Sequence, residues 1–112
     1  MIQQMHLDER YYKAIKNGTK TIEMRLNDEK RQQLKVGDIL EFENRKDGEI
    51  LKTTITNIYH FSNFKEIFDN FDREKLGFSK DEDFTYKNME EFYSIEEQEK
   101  YGVIAIEIKL GE

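Results

Sequence analysis

Polar and apolar residues alternate along several short stretches of the chain and recur at helical spacing in others. Ile22, Met24 and Leu26 alternate with Thr21, Glu23 and Arg25, which predicts a half-buried strand with the polar trio on one face. Val103 to Lys109 reads the same way, with Ile104, Ile106 and Ile108 on one side. Phe64, Ile67, Phe68 and Phe71 fall at i, i+3, i+4 and i+7, the stripe of a helix packed on a sheet, and Ser62 is its expected N-cap.

The remaining elements follow from local signals. Gln3 to Leu7 is a short strand, and Asp8 is expected to cap the next helix through its side chain. That helix carries Tyr11, Tyr12, Ala14 and Ile15 and stops at Asn17-Gly18, where glycine can turn left-handed. Asn27-Asp28-Glu29 predicts a second short helix running to Leu34. Lys35 to Asp38 is a turn into a strand over Ile39 to Asn44, Lys46 to Glu49 is a hairpin turn around Asp47-Gly48, and Ile50 to Phe61 is a long strand. Residues 72 to 87 read as an acidic irregular loop, with short helical turns near Met89 to Tyr93 and Ile95.

Five strands with helices inserted between them make an α+β chain. They can close into a small mixed β-barrel, which removes exposed sheet edges; an open α+β sheet is the alternative. At 112 residues the whole chain is expected to form one domain, 1–112. Eight Phe and six Tyr supply enough large apolar surface to set against a charged fraction of 38%.

Composition narrows the chemistry. With no cysteine, a disulfide framework, a thiolate metal site and a cysteine nucleophile are excluded. No apolar run reaches the length of a membrane span and the N-terminus does not read as a leader, so a cytoplasmic, membrane-free, monomeric protein without cofactor is expected. The net charge of −6 argues against a long phosphate track. Residues 1–61 nevertheless carry 11 Lys/Arg against 10 Asp/Glu, and 62–101 carry 6 against 12, so any nucleic-acid contact should be local and should use the first half.

The densest polar constellation is Gly18-Thr19-Lys20-Thr21-Ile22-Glu23-Met24-Arg25. Glu23 and Arg25, two apart, project to one side of a strand. Lys20 has the opposite parity and reaches that side only by sitting on the helix-to-strand turn. A carboxylate beside cations complements a nucleoside, accepting from an amine or ring N–H while Arg or Lys meets a carbonyl or phosphate oxygen. The plainer reading is an exposed cross-strand pair of little energetic weight. His6 and His60 lack companions for a metal site and are read as structural or surface residues. Phe64, Phe68 and Phe71 are read as core. Among Tyr59, Phe78, Tyr86 and Tyr93, one is expected to flank the pocket and stack on a base; Tyr59 joins Lys20, Thr21, Glu23 and Arg25 as a ligand-binding candidate. Asp81-Glu82-Asp83 is read as a solvated loop or a lid.

The run Gly18-x-Lys20-x-x-Glu23-x-Arg25, with Val36-Gly37-Asp38-x-x-x-Phe42 and Tyr101-Gly102-Val103-Ile104-Ala105-Ile106, resembles the ASCH domain of the PUA-like superfamily, in particular its small stand-alone prokaryotic members. The resemblance implies a PUA-like β-barrel with a cleft lined by the signature residues and a role in binding RNA. Some similar members are amidohydrolases that deacetylate N4-acetylcytidine with a Lys, a Thr and a Glu, and ribonuclease activity has been proposed in the family. Lys20 matches the catalytic lysine. The family's threonine falls on Glu23, and its catalytic glutamate is left open among Glu74, Glu82 and others.

If the chain is an enzyme, Lys20 and Glu23 are therefore its catalytic candidates. Glu23 beside Lys20 is expected to hold the lysine protonated, which suits binding better than base catalysis. Three functions follow. The first is a module binding a nucleoside, nucleotide or short RNA in a cleft of Lys20, Glu23 and Arg25. The second is a hydrolase on N4-acetylcytidine or RNA. The third is a protein-interaction domain using residues 62–101.

Overall fold

The computed structural model describes residues 1–111. Its strands are β1 (Ile2–Leu7), β2 (Ile22–Leu26), β3 (Ile39–Asn44), β4 (Ile50–Phe61) and β5 (Val103–Leu110), and its helices are α1 (Glu9–Lys16), α2 (Phe64–Asn70), α3 (Arg73–Leu76) and α4 (Ile95–Tyr101). The strands form one sheet in the order β1-β3-β4-β5-β2. Only β1 and β3 run parallel; the other pairs are antiparallel. The sheet curls into a half-barrel in an α+β, PUA-like arrangement. Its edges, β1 and β2, share no ladder among the described residues. They approach closely enough for Arg25 Nη2 to donate to the carbonyl of His6 at 3.4 Å.

The curled sheet separates two apolar cores. Inside it, Met5, Leu7, Leu40, Phe42, Ile55, Ile104, Ile106 and Ile108 pack against Tyr12 and Ile15 of α1. On its other face, Ile22, Met24, Leu26, Val103 and Ala105 pack against Phe64, Ile67, Leu76, Phe78 and Met89. Strand β2 is thus covered on both faces, where the alternation predicts burial on one. Cross-strand partners share a face. Glu23 pairs with Ile106 and Arg25 with Ile104, so both charged side chains lie on the inner face, among the residues of the first core.

Several local expectations are corrected. Asp8 occupies the N-cap of α1 without a side-chain capping bond; its carboxylate lies 3.7 Å from Arg45 Nε instead. The helix expected from Asn27 to Leu34 is a single 3-10 turn, Arg31–Gln33, with Asp28 rather than Asn27 accepting a backbone N–H, from Arg31. Asn63, not Ser62, caps α2, accepting from Glu66 N. Phe71 lies just past that helix in extended backbone and packs edge-on against Tyr59 at 5.3 Å. The supposed loop over 72–87 contains α3, four residues long and closed by Gly77 at φ 104°, too short to show a helical period. The capping box of Ser94 and Glu97 that opens α4 was present in the sequence as S-x-x-E. No helix among the described residues is long and apolar enough to cross a membrane.

Ile104 is fully buried at the centre of the inner core. Ile104→Ala is expected to lower unfolding free energy by about 2–5 kcal/mol, and Val36→Ala, at an exposed turn, by less than about 0.5 kcal/mol. Urea denaturation of the two variants checks this; equal effects would contradict the placement of the core.

Candidate functional site

The site begins at the corner after α1. Gly18, at φ 88°, reverses the chain, and Lys20 N donates to Ala14 O at 3.0 Å while Thr21 N donates to Lys75 O at 3.0 Å. These bonds turn the Lys20 side chain inward before β2 starts, which resolves the parity problem. Lys20 is only 3% exposed. Its Nζ donates to the carbonyls of Ile22 at 2.7 Å and Leu76 at 2.8 Å, and Glu23 Oε1 lies 3.1 Å away. The amine thus has two main-chain acceptors and a carboxylate within ion-pair distance.

Glu23, 5% exposed, lies between two cations. Its Oε2 lies 2.7 Å from Arg25 Nη2. Burial alone would raise the Glu23 carboxyl, but Arg25 and then Lys20 outweigh it and hold the group below the ordinary carboxylate range. For Lys20 the balance is reversed. Burial lowers it against the opposing pull of Glu23, which corrects the expectation that the carboxylate alone decides its direction. Burial also lowers the Arg25 guanidinium, and Glu23 and Tyr93 more than restore it. One atom of the cluster is unspent: Arg25 Nε is buried and has no hydrogen-bond partner.

Around this trio lies a cavity of about 570 Å³, bounded by the edge strands β1 and β2 and by segments from the second half of the chain. Its lining includes Tyr11, Phe78, Phe84 and Tyr93, with His6, Asp8, Arg45, Glu91 and Phe92 also contributing. Phe92 is 67% exposed, although it is a large apolar ring. Phe78 and Phe84 stack at 4.2 Å between centroids, and Phe78 also meets Tyr11 edge-on at 5.8 Å.

Lys20, Glu23 and Arg25 are therefore brought together in one recess, and Phe78 and Tyr93 flank it. Thr21 and Tyr59 do not line it. Thr21 takes part through its backbone, and its carbonyl accepts from Ile108 N. The hydroxyl of Tyr59 accepts from Asn57 at 3.0 Å and its ring packs in the outer core. Tyr86 lines a different hollow. Of the acidic candidates, Glu74 is exposed and Glu82 is tied to Arg10; neither lines the cavity, whereas Glu91 does. Sequence reasoning also missed Tyr11, Arg45, Phe84 and Phe92. An exposed aromatic within an acidic stretch offers no periodic signal.

A second hollow of about 630 Å³ lies between α2 and α4. Its one buried polar side chain, Gln98, already accepts from Phe64 N at 3.3 Å and donates to Tyr93 O at 3.1 Å. No buried charge faces it, and it has none of the chemistry of the first.

The family model of the ASCH domain matches residues 5–112. ASCH domains are PUA-like modules often linked to RNA binding. The crystal structure of the hypothetical protein PH0355 is 39% identical, with a TM-score of 0.84, covering 99% of this chain and 100% of that one. The solution NMR structure of a protein from Pyrococcus furiosus is 35% identical, with a TM-score of 0.73, covering 100% of this chain and 99% of that one. No curated protein matches the chain.

Two outcomes test the cluster. Because the folded-state pKa of Glu23 is depressed, its ionised form adds stability above the ordinary carboxylate range, and that contribution is lost as pH falls through the depressed value. The stability gap between wild type and Glu23→Gln should therefore narrow as pH falls from neutrality into that acid range; a gap constant with pH in urea titrations would contradict the assignment. A Cβ at Gly77 would lie 3.0 Å from Lys20 Cδ and 3.2 Å from Tyr11 Cδ1, at φ 104°. Gly77→Ala should cost about 1–3 kcal/mol, measured by thermal unfolding.

Proposed function

The chain belongs to the ASCH domain family, and from that membership and the cavity we propose that it binds a nucleotide or a short single-stranded RNA, seating one base against Glu23 and Arg25. The observation that carries this reading is the ionised Glu23 carboxylate beside the Arg25 guanidinium in the wall of an aromatic-lined hollow. Phe92 at the surface and the half-buried ring of Tyr11 offer stacking faces.

Arg45 is a candidate for a phosphate contact at the mouth. Its side chain is 63% exposed and meets only Asp8, at 3.7 Å. The acidic excess elsewhere limits further phosphate contacts, so affinity rests on the base more than on the backbone.

A hydrolytic role on N4-acetylcytidine or RNA would need Lys20 as a free amine acting as base or nucleophile. Burial lowers Lys20 in that direction, but its nitrogen is already engaged by the carbonyls of Ile22 and Leu76 and by Glu23, and that geometry favours binding. The lysine then acts as the post that holds Glu23 ionised and aimed.

Fluorescence anisotropy with a labelled short single-stranded RNA tests the proposal. Arg25→Ala should weaken binding about 10- to 100-fold with the fold retained by circular dichroism. The logarithmic salt slope should lie between about −0.7 and −1.4, equivalent to one or two phosphate contacts, and Arg45→Ala should reduce it by about 0.7. Incubation with N4-acetylcytidine should give no deacetylation. A steep salt slope that is insensitive to Arg25 would count against the cavity, and turnover would transfer the site to the enzyme class.

A further inference from the structure

The hollow between α2 and α4 shares no lining residue with the cavity of the trio. Ile95, Gln98, Glu99 and Gly102, all of which line it, fall at i, i+3, i+4 and i+7, so one face of α4 is turned to the hollow. In a helix packed on a core such a stripe is buried and apolar. Here Ile95 is 58% exposed and Glu99 is exposed, and only Gln98 is buried. Phe61 at the end of β4 and Tyr86, which opens the 3-10 turn Tyr86–Glu91, bring two half-buried rings to the same place.

The charge of this hollow is one-sided. Glu90 and Glu99 line it together with one cation, Lys65, and Lys65 is already paired with Asp69 at 3.0 Å. No ion pair among the described residues includes Glu90 or Glu99. The surrounding stretch, 86–101, carries five Glu against two Lys. An exposed isoleucine among carboxylates without counter-charges serves neither the core nor an internal salt bridge, and exposed apolar surface rimmed by polar groups marks a contact surface. We propose that this hollow docks a positively charged segment of another protein, with an apolar side chain seated on Ile95, Phe61 and Tyr86 and flanking Lys or Arg side chains reaching Glu90 and Glu99.

Charge complementarity selects this occupant. Two unpaired carboxylates steer a cationic segment towards the hollow, and the apolar floor supplies the contact from which most of the affinity comes. The same carboxylates repel a phosphate backbone, and a second copy of a chain of net charge −6 is a poor counterpart. Gln98 is not a recognition group, because its amide accepts from Phe64 N and donates to Tyr93 O. It ties α4 to the start of α2, so the surface is formed before anything docks. The proposal goes beyond the nucleotide-binding reading and does not depend on it.

Selection of a phage-displayed library of short random peptides on the wild-type protein tests the proposal. Enriched sequences should place Lys or Arg on either side of a Leu, Ile, Phe or Met, and a synthetic peptide of that consensus should shift the amide resonances of residues 62–65 and of α4. The double variant Glu90→Gln with Glu99→Gln should weaken that peptide by about 2- to 30-fold, and Ile95→Ser by at least about 10-fold, with circular dichroism showing both folds intact. No enrichment, enrichment of acidic sequences, or shifts that map elsewhere would overturn the proposal. So would binding that falls with the carboxylates but ignores Ile95→Ser, since that is unspecific attraction of charge. Sedimentation showing a dimer that Ile95→Ser abolishes would give the hollow to a second copy and overturn the foreign partner.

Discussion

The Glu23 carboxylate, enclosed between Lys20 and Arg25, is the interaction on which the arrangement of the site depends. Removing three charges from water carries a penalty of several kcal/mol per ion even after relaxation. The attraction within the trio offsets that together with hydrogen bonds from Lys20 to two main-chain carbonyls and from Arg25 to His6 O. Apolar residues of similar volume would serve stability at least as well. In a chain of 112 residues, where core volume is scarce, burying this trio is costly for packing alone, and it is this cost that motivates the recognition role proposed above.

The topology prepares the place for them. A five-stranded sheet that curls without closing leaves two unpaired edges, normally a liability. Here the edges face one another across a hollow, and the bond from Arg25 to His6 O spans the gap. Strand β2 is held on its other side by β5, and its leading corner is held by α3 through Lys75 O and Leu76 O. The short helix that looked like loop in the sequence is thus part of the frame. Gly77 ends it beside the Lys20 stem, where a side chain would have no room.

Much of this was legible in the residues. The alternation at 21–26 located β2 and put Glu23 and Arg25 on one face, and Gly18 marked the corner that brings Lys20 to them. What alternation cannot tell is whether the polar face is outside. Here both faces of β2 are covered, because the helices of the second half occupy the face of Ile22 and Met24 while the sheet curls over the other. The direction of Lys20 was misjudged for the same reason: its neighbour in sequence is a carboxylate, but its burial is a property of the tertiary structure. Arg45, Phe84 and Phe92 reach the cavity from sequence positions 20 or more residues away from the trio, and no local pattern announces such a meeting. Thr21 and Tyr59, chosen for proximity to the motif and for aromatic character, are spent on backbone pairing and core packing.

The acidic second half fits the site better than its charge suggests. Residues 62–101 carry the acidic excess of the chain, yet Leu76, Phe78, Phe84, Met89 and Tyr93 from that region form walls of the cavity. Of its carboxylates, Glu91 is the one that lines this recess. If the recess holds a base as proposed, the acidic excess on the outside would oppose a long polyanion, while contacts inside the recess are screened less than those exposed charges. On that proposed reading, affinity would come from contacts inside the hollow, and the overall charge of −6 would count in the selectivity against extended nucleic acid.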